Sequence, residues 1–134
     1  VFLNALNTGK SVRARSELRT IQSVILNSVE NQIRARRFDE NASAPWSSSL
    51  GKETGNGEVN LDDFDDIDDF NGYSVSSVSD HPGFSYDVTV NYVTPTSGFP
   101  VSQSGQTNFK SIMVRVSHRT LSPITDTMII SSGL

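Results

Sequence analysis

The 134 residues are enough for one domain with a single core, and the 35% hydrophobic content makes that core a modest one beneath many polar loops. There is no cysteine, which excludes a disulfide framework, a thiolate zinc site and a cysteine nucleophile. The net charge of -4 hides a segregation: up to Arg37 cations dominate, whereas from Asp39 to Asp69 acidic side chains are opposed by Lys52 alone.

In chain order, the first element is a helix over residues 1–38. Leu18, Ile21, Ile25, Val29 and Ile33 recur at the three- and four-residue spacing of one helical face, with Arg13, Asn27, Glu30 and Arg34 opposite. Arg34, Arg36 and Arg37 fall at its end, where positive charge complements the helix dipole. Residues 39–72 form a loop carrying an acidic segment, with turns around Gly51, Gly55 and Gly57. Trp46 is the exception in the polar stretch Glu40–Asn60 and is expected to pin the loop onto the core.

From residue 73 to 134 the period becomes two, the mark of half-buried strands. Tyr86, Val88, Val90 and Tyr92 share one face; Phe109, Ile112, Val114 and Val116 share another, with a register irregularity near Lys110-Ser111. Shorter strands are expected at Tyr73–Val78 and Thr127–Ser131, and residues 94–105 read as a long connection rich in Pro, Gly and Ser. The expected fold is a single α+β domain, a long N-terminal helix packed on an antiparallel meander of about four strands. No apolar run approaches the ~18 residues of a membrane span; Val24-Ile25-Leu26 and Ile112-Met113-Val114 are typical of the longest.

The string from Leu61 to Tyr73 is the most distinctive. Leu61, Phe64, Ile67 and Phe70 fall every third position, so that edge can dock on the core while carboxylates face outward. Carboxylates this dense suit a hard, oxygen-seeking cation, and Asp65, Asp66, Asp68, Asp69 and Asn71 are the candidate calcium ligands. An EF-hand register fails, because it puts Ile67 first and Val78 twelfth. The competing reading is an acidic turn whose aspartates cap local backbone and meet arginines. His81 and His118 lack a nucleophile in any recognised order, glycine loops lack phosphate-binding spacing, and the acidic balance argues against nucleic acid. No catalytic residue and no cofactor other than calcium is expected.

Three stretches carry a resemblance to a known family: residues 1–19, the helix end Ile33-Arg34-Ala35-Arg36-Arg37-Phe38-Asp39-Glu40, and the acidic string Phe64-Asp65-Asp66-Ile67-Asp68-Asp69-Phe70-Asn71-Gly72-Tyr73. In order and content they resemble minor pilins and pseudopilins of the MshD and PilV type, from type IV pilus-like systems. The resemblance implies a pilin-like fold and a structural, non-enzymatic subunit of a pilus or secretion fibre. It implies an apolar half-helix before Val1, made with a short leader, holding the precursor in the inner membrane with its head in the periplasm. Other pilin subunits are the implied partners, and the fibre at the cell surface is the destination. Arg34, Arg36 and Arg37 are candidate assembly contacts with acidic loops of neighbours. The alternative function is a stand-alone extracellular binding or adhesion module that uses the acidic, calcium-binding loop.

Overall fold

Apolar residues at helical spacing need a surface to cover, and an alternating sheet supplies one. A computed structural model of the chain describes residues 2–96 and 98–133. Val1, Ser97 and Leu134, which the expected helix, connection and sheet included, lie outside the described residues. Helix α1 spans Phe2–Arg34; the strands are β1 Ser74–Val75, β2 Phe84–Thr96, β3 Phe99–Ser102, β4 Phe109–His118 and β5 Leu121–Ser131. All pairings are antiparallel in the order β1-β2-β4-β5, with β3 on the far end of β2. The domain is therefore α+β, one helix packed on five strands rather than four.

Ile25, Val29 and Ile33 are buried against Val88, Val90, Ile112, Val114 and Val116. Each such side chain contributes about 1.5–3 kcal/mol by leaving water. Leu18 and Ile21 are half-buried at the edge of this contact, and residues 5–17 of α1 are exposed throughout. Gln22 is buried at the start of the packed stretch and donates from Nε2 to the carbonyls of Val116 (3.0 Å) and Ser122 (3.1 Å). Glu30, expected on the polar face, is also buried, because α1 lies close enough to β5 to bring it against Asp126.

The helix stops at Arg34, short of the expected end. The Arg36 N–H bonds to the Ile33 carbonyl, tightening the last turn, and Arg37 then leaves to pair with the acidic segment. Its N–H donates to the Asp65 carbonyl at 3.4 Å and its carbonyl accepts from Ile67 N–H at 3.0 Å.

Two stretches of sheet exceed expectation. Residues 94–96 and 99–102, read as connection, pair with one another as the end of β2 and β3. Pro95 faces Pro100, so the two missing N–H donors coincide in one cross-strand pair instead of interrupting two. Strand β5 begins at Leu121 rather than Thr127, and tolerates Pro123 because its outer side is an edge of the sheet. By contrast only Ser74 and Val75 of the stretch Tyr73–Val78 pair as strand.

The expected irregularity at Lys110-Ser111 is absent: β2 and β4 pair continuously from Phe84↔His118 to Tyr92↔Lys110, and the shift lies between Val116 and His118 in the pairing with β5. Strict alternation along β4 puts Lys110, not Phe109, on the core face with Ile112, Val114 and Val116.

Candidate functional site

The acidic segment folds as two short helical turns, Leu61–Asp63 and Asp68–Phe70. Phe64, Ile67 and Phe70 enter the core as their spacing requires, and Phe64 meets Phe70 edge-on at 5.1 Å. Gly72 closes the segment with φ of +77°, a conformation that glycine adopts without strain, and its N–H bonds to the Val88 carbonyl.

Not all the carboxylates face outward. Asp66, Asp68 and Asp69 are each 1% exposed; Asp66 and Asp69 serve as acceptors for the N–H groups their own turns leave unpaired. Asp66 Oδ1 accepts from Asp68 and Asp69 N–H, and Asp69 Oδ2 from Asp65 and Asp66 N–H. Such local capping is what short polar side chains do best. Asp65 stays at the surface and pairs with Arg37.

Asp68 looks the other way, toward Lys110. The Lys110 ammonium is fully buried and donates to Asp68 Oδ1 at 2.9 Å, to Asp39 Oδ2 at 3.2 Å and to the Phe38 carbonyl. Three donors thus meet three acceptors. The Phe38 and Tyr92 rings cover it, with centroids at 4.4 and 5.2 Å. Asp39 further accepts from Ser47 and Asn41 N–H, Ser47 Oγ and the Tyr92 hydroxyl. Burial raises the Asp39 pKa, but the Ser47 and Asn41 hydrogen bonds and the Lys110 charge outweigh it and hold the carboxyl below its usual range. For Asp66, burial followed by the hydrogen bond and charge of Asp68 raises the pKa to about 8. The Oδ2 atoms of Asp66 and Asp68 are buried without a hydrogen-bond partner.

A second cluster is assembled by the loop. Oxygens of Glu53, Glu58 and Asp69 lie within 4.8 Å of one another, the only such acidic group among the described residues. The turn Thr54–Asn56 brings the two glutamates together, and Glu58 Oε2 accepts from Glu53 N–H at 2.7 Å. Burial, then the charges of Glu40, Glu58 and Asp69, push Glu53 up to about 7. Asp69 is pushed up to about 6, with burial the first cause, the charge of Glu58 adding, and its two backbone hydrogen bonds opposing. Its Oδ1 is buried without a partner.

Of the five candidate calcium ligands, only Asp69 joins this cluster. Asp65 is taken by Arg37, Asp68 by Lys110, and Asp66 by backbone and Asp68. Asn71 joins loop to sheet, donating to the Leu50 carbonyl and accepting from Val90 N–H. Glu53 and Glu58 escaped notice in sequence because no periodicity relates them to Asp69. Trp46 pins the loop as expected: it is 6% exposed, stands edge-on to Phe38 at 5.1 Å and donates to Asn108 Oδ1 at 2.9 Å.

The candidate assembly arginines do not share one role. Arg34 lies 3.7 Å from Glu30, Arg36 donates to the Leu61 carbonyl at 3.3 Å, and Arg37 meets Asp65. The attraction between basic helix end and acidic segment is therefore met within the molecule at Arg36 and Arg37. His118 Nδ1 accepts from Thr120 N–H, and its ring lies 4.5 Å from that of Phe84. No described helix is long and apolar enough to cross a membrane. No protein-family model, curated protein or solved structure matches this chain.

Proposed function

We propose that the chain is the stem and head of a minor pilin or pseudopilin, a non-enzymatic subunit of a type IV pilus-like or secretion-like fibre. One observation carries the reading: the first half of α1 lies outside the contact with the sheet. Residues 5–17, about 20 Å of helix, stand exposed beyond the core, with Leu6 and Val12 at 47% and 62% exposure. An isolated helix of that length is marginal in water, so a stem of this kind gains its stability from packing against something else.

In the proposed role that something is the stems of neighbouring subunits. An apolar segment preceding Val1 anchors the precursor in the inner membrane, then buries among other helices as the fibre assembles. The head, exposed first to the periplasm and then at the cell surface, sets which subunits sit beside it. Arg34 and Arg37, whose side chains are 56% and 58% exposed, are the helix-end cations open to a neighbour.

Mass spectrometry of the mature full-length protein from its native host tests the reading. A start about 20 apolar residues before Val1, after cleavage at a glycine and with an N-methylated terminus, supports it. A mature start near Val1 after an ordinary secretory signal overturns it and leaves the stand-alone extracellular binding module in front.

A further inference from the structure

We propose that Glu53, Glu58 and Asp69 form a calcium site that clips the turn at residues 53–58 onto the acidic segment. The site is independent of the fibre reading and would serve a free-standing module equally well.

Distance is the first ground. Calcium holds oxygens at about 2.3–2.6 Å, so two ligands on opposite sides of one ion lie about 4.8 Å apart and adjacent ones closer. The three carboxylates bring an oxygen each within 4.8 Å of the others. Even at that limit a point equidistant from the three lies about 2.8 Å from each, so small side-chain rotations bring all three within calcium's reach. Magnesium, at about 2.0–2.1 Å with a strict octahedron, needs them closer.

The second ground is an oxygen with nothing to bind. Asp69 is 1% exposed and cannot turn to solvent. Two backbone N–H groups fix its Oδ2, which leaves Oδ1 buried and unpartnered on a carboxyl facing Glu58. Buried acceptors are nearly always satisfied, and the exceptions point to a missing partner.

Charge is the third. Glu58 is buried at 8% exposure beside Asp69, and no Lys or Arg among the described residues pairs with Glu53, Glu58 or Asp69. Burying like charges without a counter-ion is costly. An open groove of about 460 Å³, lined by Glu40, Trp46, Ser47, Glu53 and Gln106 among others, gives an ion and its remaining waters a way in beside Glu53. Three carboxylates on a loop suit the weaker range of calcium sites, with dissociation constants of about 10⁻⁴–10⁻³ M.

Thermal melting of this chain in calcium chloride, magnesium chloride, or chelator with sodium chloride at matched ionic strength tests the site. At calcium about tenfold above its dissociation constant the midpoint should rise by roughly 3–8 °C over chelator. Magnesium should do less. Glu58→Gln keeps an acceptor for Glu53 N–H, so it should fold; it should lose the calcium shift and melt in chelator at least as high as the unaltered chain. Asp62→Asn, a change at an exposed carboxylate of the same segment, should keep the full shift. The proposal is overturned if calcium moves the midpoint no more than matched sodium or magnesium, or if Glu58→Gln retains the shift.

Discussion

Two clusters of buried charge lie on opposite faces of one short turn and have been resolved in opposite ways. Around Lys110, one ammonium meets two carboxylates and a carbonyl, so each of its three donors has an acceptor. Around Glu53, Glu58 and Asp69, like charges gather and an oxygen is left over. Adjacent residues belong to the two sides, since Asp68 answers Lys110 while Asp69 answers the glutamates. The difference teaches that burial alone does not fix what a carboxylate contributes. The sign depends on whether its neighbours donate or repel.

The contrast is broken most severely at Lys110. Lys110→Met leaves Asp39 and Asp68 buried without their cation and should cost about 3–5 kcal/mol, a large part of the stability of a domain this size. Urea denaturation reads it. Adding Asp39→Asn and Asp68→Asn to that variant should recover part of the loss; no recovery would mean the network matters by shape and not by charge.

The same chemical change on the two sides should have opposite signs. Asp39→Asn puts an NH₂ group among five donors and should cost about 2–3 kcal/mol. Asp69→Asn can still accept from Asp65 and Asp66 N–H while removing a charge. Like charges within 4.8 Å repel by roughly 3 kcal/mol at an effective dielectric constant near 20. Because Glu53 is half exposed, a net gain of about 1 kcal/mol in chelator is expected. Two losses would erase the distinction.

pH sharpens it further. The Asp39 carboxyl is held below the ordinary 3.8, so its stabilisation is present above that value and lost as pH falls through the folded-state pKa. In Asp39→Asn this part of the acid loss should vanish. Glu30 behaves oppositely: burial, then the hydrogen bond and charge of Asp126, raise it above 4.5. Its contribution is complete below 4.5 and is lost as pH rises through the folded-state pKa. Glu30→Gln, able to donate to Asp126 at any pH, should gain about 0.5–1.5 kcal/mol at pH 7 and flatten that limb. The smallest effect belongs to the solvated pair: Arg37→Ala should cost no more than about 1 kcal/mol, and salt should abolish it.

Periodicity made the helix and the main strands legible, because Ile25, Val29 and Ile33 on α1 and Val88, Val90, Ile112, Val114 and Val116 on the sheet follow their repeats into the core. Lys110 was hidden by the same rule. Pattern reading assigns an apolar neighbour, Phe109, to the inside and a lysine to the outside; only the pairing Tyr92↔Lys110 and two distant aspartates make its burial tolerable. The triplet spacing of Phe64, Ile67 and Phe70 was readable, whereas the inward turn of Asp66, Asp68 and Asp69 depends on backbone donors that no spacing reveals. Residues 94–96 and 99–102 show a further limit: Pro95 and Pro100 each argue against a strand, and only their facing one another allows the pairing.

The fastening of α1 to β4 has a mechanical consequence. Gln22 holds one end of the packed stretch to Val116, and the residues just beyond the helix, Phe38 and Asp39, hold the other end to Lys110. The helical part of the span, from Gln22 to Arg34, is about 18 Å, and the strand from Val116 to Lys110 covers about 20 Å, so the two anchor points match in reach. A tensile load entering through residues 5–17 meets both anchors and the apolar contacts between them in shear, where they must yield together, and not as a zip that opens from one end. Pulled along its stem, this domain is built to resist; pulled sideways at β5, with its outer edge unpaired, it should give far sooner.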